Sequence, residues 1–137
     1  MTKDQYIKEK AKYLGHRLLD MITEVKPRTR QKKLDALEVG HLERRLEDYF
    51  KGYTLEAFDP LLVEIIEAFE RQKDKASKSS VQLKYFTLET MLRPRNFKRI
   101  IQWNLEELDE IKDKKSKESD KWSIYKTYNV KFSEEGL

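Results

Sequence analysis

From residue 3 to residue 25 the apolar side chains stand at Ile7, Ala11, Leu14, Leu18, Met21, Ile22 and Val25. Steps of three and four residues put all of them on one stripe of an α-helix. A stripe of that length cannot be covered by its own helix and calls for further helices to pack on it. The same period returns at Leu34, Leu37, Val39, Leu42, Leu46, Tyr49 and Phe50, and again at Phe58, Leu61, Leu62, Ile65, Ile66 and Phe69. It returns once more at Phe97, Ile100, Ile101, Leu105, Leu108 and Ile111. With only 4 glycines and 3 prolines the chain lacks the turn residues of an all-β fold. The expected class is all-α, a compact domain of about five helices.

Local signals set the predicted boundaries. Thr2 can cap the first helix, and Pro27 ends it, because the residue before a proline is pushed out of the helical region. Gly40 divides the second periodic stretch into two pieces, and Gly52 is a stop. Thr54 and Asp59-Pro60 both signal a start, which a short turn at 55–58 feeding a helix from Pro60 satisfies. The polar stretch 73–80 reads as a loop. A short element follows at 81–86, Thr87 caps one or two turns at 88–92, Arg93-Pro94 breaks the chain, and a last helix runs from about 96 to 115. In the final twenty residues Trp122, Ile124, Tyr128, Val130 and Phe132 fall at even positions, the period of a strand. A lone strand must pair with a partner, dock as an extended arm or stay disordered, so these five residues are the candidate partner-binding set. The expected organisation is a helical domain, 1–117, and a C-terminal arm, 118–137.

Composition removes several function classes. The 137 residues suit one domain. There is no cysteine, hence no disulfide framework, thiolate metal site or cysteine nucleophile, which fits a reducing cytosol. No apolar run exceeds three residues, so no membrane span is expected, and the first residues lack the pattern of a signal peptide. Glu38 and His41 have the spacing of a di-iron carboxylate–histidine pair, but no second such pair occurs. The glycines are too dispersed for a phosphate loop, and no Ser-His-Asp context stands out. The expectation is a protein without catalysis, cofactor or metal.

Charged residues make up 39% of the chain, against about 25% in ordinary domains, with a net charge of +4. Their placement matters more than their sum. Lys26, Arg28, Arg30, Lys32 and Lys33 fall within eight residues free of acids, and Arg93, Arg95, Lys98 and Arg99 form a second acid-free group. Tyr85 and Phe86 precede that second group, Phe97 lies within it and Trp103 follows it. Cationic side chains neutralise phosphates, and exposed aromatic faces stack on unpaired bases. Phe97 shares the apolar stripe of Ile100 and Ile101 and is expected in the core. Tyr85 and Trp103 fit a core or an exposed face equally. The acids of 106–113, followed by lysines, suit the dipole of a helix.

Four segments, taken in order, carry a resemblance. They are Leu19-Asp-Met-Ile-Thr-Glu24, the basic turn with His41-Leu-Glu-Arg-Arg-Leu46, Gly52-Tyr-Thr-Leu-Glu-Ala-Phe58, and Thr87-Leu-Glu-Thr-Met-Leu-Arg-Pro-Arg-Asn-Phe97. At this order and spacing they resemble the conserved C-terminal domain of phage replisome organisers and related phage replication proteins, over residues 16 to 103. The chain departs from that pattern in having Lys26-Pro-Arg in place of the usual Thr-Gly, in Pro60, and in a longer 41–51 segment. Family members carry this domain behind a DNA-binding winged helix, where this sequence has one amphipathic helix. The resemblance implies a helical module similar to those of DnaD-like helicase-loading proteins, which bind DNA and contact other replication proteins. It implies that Arg93, Arg95, Lys98 and Arg99 touch phosphate and that Tyr85 stacks.

Taken together, these observations predict a phage-type replication accessory protein in the bacterial host cytosol. It would bind single-stranded DNA, or DNA without strong sequence preference, and recruit or load a replicative helicase. The alternative is a small phage module that binds and inhibits a host protein without touching DNA. A homo-oligomer that exchanges the arm is a third arrangement.

Overall fold

The computed structural model describes residues 1–28 and 33–112. It divides the chain into two units, Met1–Leu105 and Glu106–Leu137. The predicted boundary at 117/118 and the five arm residues Trp122, Ile124, Tyr128, Val130 and Phe132 lie outside the described residues, as do Arg30 and Lys32.

The fold is all-α, with no strand among the described residues. Helix α1 spans Lys3–Val25, α2 Ala36–Phe50, α3 Phe58–Lys78, α4 Ser80–Lys84 and α5 Leu88–Met91. A 3-10 turn, Leu55–Ala57, leads into α3. Helix α6 runs from 94 to 112, its part up to Leu105 belonging to the first unit. Thr2 caps α1 as expected, and Gln5 reaches back to complete a capping box; Asp35 and Glu38 do the same for α2. Helix α2 passes through Gly40 without a break, so the predicted division there does not occur. Gly52 stands just past the end of α2 at φ +87°, a conformation that glycine adopts without steric cost. Pro60 is the third residue of α3 rather than its first; its missing N–H is one that the first turn leaves without an intrahelical partner anyway.

The core of the first unit is one apolar cluster. Leu14 and Leu18 of α1, Leu42 and Leu46 of α2, Ile65 and Phe69 of α3, Met91 of α5 and Ile101 of α6 are all fully buried. Each such side chain is worth about 1.5–3 kcal/mol relative to exposure. Phe50 and Phe58 stack at 4.4 Å between centroids, with Tyr6 tilted against Phe58 at 5.4 Å. Gly15 leaves the space that Leu34 and Leu42 fill, since a Cβ there would lie 2.4 Å from Leu34 Cδ1 and 2.8 Å from Leu42 Cδ1. Leu37, counted on the apolar stripe of α2, is instead 70% exposed.

The largest departure from expectation is at 73–80. Helix α3 continues to Lys78, through the segment whose polarity predicts a loop, and Ser79 then caps α4 by accepting from the Gln82 N–H. Two anchors hold the extra turns. Ala76 is buried in the core, seven residues after Phe69 on the same face. Lys73 bonds Glu24 of α1 at 2.6 Å and Glu70 at 3.0 Å, and Glu70 also pairs with Arg17 of α1 at 3.2 Å.

Candidate nucleic-acid interface

Helix α6 sorts its residues by angle. Phe97, Ile101 and Asn104 face the core and are buried. Asn96, Arg99, Ile100 and Trp103 follow at steps of three and four and share the adjacent face, where they line an open groove of about 470 Å³. The opposite wall comes from the second half of α3 and from α4, through Gln72, Gln82 and Tyr85. Thr90 and Arg93 complete the floor near the break between α5 and α6. That break is well fixed. Thr87 caps α5 through the Thr90 N–H, and Asn96 Nδ2 donates to the Thr90 carbonyl at 2.9 Å.

The structure separates the aromatic residues around the second basic cluster. Phe86 and Phe97 are core, with Phe97 tilted against Phe69 at 5.4 Å. Tyr85 is 55% exposed and Trp103 56% exposed, both on the groove. The Arg99 guanidinium lies over the Trp103 ring at 5.8 Å, and the Lys84 ammonium over the Tyr85 ring at 5.8 Å. Each exposed ring is thus paired with a cation, the combination that holds a stacked base and its phosphate.

The four predicted cations of the second cluster fall into two pairs. All four are exposed. Arg93 and Arg99 line the groove, whereas Arg95 and Lys98 occupy the next face of α6 and do not line it. Arg93 has only a loose pairing with Glu89, 3.9 Å away, worth little for so exposed a pair.

The first basic cluster is divided by burial. Lys26 is half-buried, and its Nζ donates to the Phe86 carbonyl at 3.2 Å; burial pushes this ammonium below its ordinary value. Lys26 therefore ties the end of α1 to the turn that carries Tyr85. Arg28 and Lys33 are exposed. Val25, Lys26, Pro27 and Arg28 line a shallow depression with Leu83 of α4. The basic turn after α1 thus reaches the short stretch 83–86, which also carries a wall of the groove.

Gln72, Gln82 and Asn96 are groove residues that the sequence pattern does not single out. For Gln72 a signal exists in Ala76, which continues the period of α3 past the predicted loop. Among the described residues no three His, Cys, Asp or Glu side chains converge on a point that would suit a metal ion. His16 is exposed and His41 half-buried, and no helix is long and apolar enough to cross a membrane among the described residues. Comparison with protein-family models, curated proteins and solved structures finds no match to this chain.

Proposed function

We propose that this chain is a non-enzymatic, phage-type DNA replication accessory protein. It binds DNA as a single strand, or without strong sequence preference, and recruits or loads a replicative helicase. The observation that carries the DNA part is the exposure of Tyr85 and Trp103 on one groove that Arg93 and Arg99 also line. Unpaired bases between phosphates are complementary to exposed aromatic rings and to the cations beside them. The replication context and the helicase rest on the order and spacing of the segments that resemble phage replisome organisers.

The test is fluorescence anisotropy with labelled single- and double-stranded DNA at two salt concentrations. Single-stranded DNA is expected to bind in the micromolar range and to lose affinity as salt rises. Arg93→Ala with Arg99→Ala should flatten the salt slope by about 0.7 for each phosphate that is no longer neutralised. Arg95→Ala with Lys98→Ala should weaken binding less, because those two do not line the groove. Absence of binding at low salt overturns the proposal and leaves the protein-interaction module, a binder and inhibitor of a host protein, as the reading to pursue.

A further inference from the structure

One polar side chain lies in the core beside the groove. Asn104 of α6 is 1% exposed. Its Nδ2 donates to the Ile100 carbonyl at 2.7 Å and to Gln72 Oε1 at 3.0 Å, and Gln72 Nε2 in turn donates to Gln82 Oε1 at 3.0 Å. The polarity of this chain is forced. A helix carbonyl only accepts, so the Asn104 atom facing Ile100 must be the nitrogen. Its second hydrogen then requires the oxygen of Gln72, and the nitrogen of Gln72 requires the oxygen of Gln82. Turning Asn104 over would set two acceptors against each other. The arrangement leaves Asn104 Oδ1 buried without a partner among the described residues. Its outcome is that Gln82, exposed on the groove, has its Oε1 taken by Gln72, which leaves its NH₂ as the end available to a ligand.

Resting on the nucleic-acid reading of this groove, we propose that it takes an unpaired base stacked on Tyr85 or Trp103, and that the Gln82 amide favours a base that offers it a carbonyl, O4 of uracil or O6 of guanine, over one that offers an amino group at the same place, N4 of cytosine or N6 of adenine. A carbonyl accepts the Gln82 N–H. An amino group there meets donor with donor and gains no such bond, while water still serves both at this exposed position. Stacking and phosphate contacts are blind to this difference and supply the bulk of the affinity.

Uracil and cytosine are the matched pair for this test, because their rings are of equal size, share O2, and differ at position 4, a carbonyl against an amino group, and at the adjoining N3. Anisotropy with short oligodeoxyuridine and oligodeoxycytidine on the full chain should show the former binding about three- to ten-fold tighter, the worth of one net hydrogen bond. Gln82→Leu, at an exposed position, should bind the two equally, at the strength of the unmodified protein for oligodeoxycytidine. Gln82→Glu puts an acceptor in place of the amide nitrogen and should reverse the order while weakening both. Equal binding by the unmodified protein, or a preference that survives Gln82→Leu, overturns the amide selection and leaves the proposed DNA binding standing. Binding of neither oligomer at low salt overturns both.

Discussion

Two glycines show how much at the residue scale depends on what surrounds a Cα. Gly40 lies inside α2 with open space where a Cβ would be, so nothing about its site requires glycine. Gly40→Ala should stabilise the protein by about 0.5–1 kcal/mol, the helix-propensity difference. Gly15 lies inside α1 and would gain the same increment, but its Cβ would press on the side chains of Leu34 and of Leu42, the latter fully buried, and one or both must shift. Crowding in a packed core costs about 1–3 kcal/mol, so Gly15→Ala should be net destabilising by about 1 kcal/mol. Urea unfolding of the two variants side by side tests the opposite signs. The sequence shows both as glycines within helical patterns. Only the positions of Leu34 and Leu42 tell them apart, and those are set by how α1 and α2 pack, not by either helix alone.

The elements are legible in the sequence where periodicity and punctuation agree. The stripe of α1, the caps at Thr2 and Thr87, and the stop at Gly52 all follow from local chemistry. The segment 73–80 reads as a loop because it lacks large apolar residues, and one buried alanine is a faint marker of phase. What makes it helical is tertiary: the burial of Ala76 and the ion pairs of Lys73 with Glu24 and Glu70. Replacement of Ala76 by glycine separates the two readings. In a solvated loop it would be nearly neutral, whereas in α3 it should cost about 1–2 kcal/mol through weaker helix propensity and poorer packing, read from the denaturation midpoint. The candidate site is legible in part. Tyr85, Arg93 and Arg99 stand out in the sequence, but α6 assigns Arg95 and Lys98 to another face, and the amides on the groove carry no sequence signal beyond the faint one of Ala76 for Gln72. Glutamines are ordinary surface residues until a buried asparagine orients them.

For the whole molecule, the titrating groups predict a loss of stability in alkali. The Tyr6 phenol donates to Asp59 and is held well above its ordinary 10.0, first by burial, then by that hydrogen bond and by the negative charges of Asp59 and Glu9. Lys73 is raised above its ordinary 10.5, first by its bonds to Glu24 and Glu70. For both, the folded chain keeps a proton that the unfolded chain releases, so their stabilisation is complete below about pH 10 and is lost as pH rises through the folded values. Lys26, lowered by burial, works the other way, its penalty easing as pH approaches 10.5. The raised groups outnumber it, with Tyr49 also raised, chiefly by burial. Unfolding free energy from urea titrations should therefore fall above about pH 10, and Tyr6→Phe should be less stable than the unmodified protein at pH 8 but approach it at pH 11. The extra turns of α3 have a thermodynamic consequence of another kind. Gln72 sits on α3, buried at Phe69 and Ala76, and Gln82 on α4, whose partly buried Leu83 packs against the core, so the groove wall is already formed before anything enters it. A ligand that fits has no backbone to order, and so forfeits little chain entropy on binding. Calorimetry should then show a small negative heat-capacity change, set by the apolar surface covered at Tyr85 and Trp103, without the far larger signature of a segment that folds as it binds.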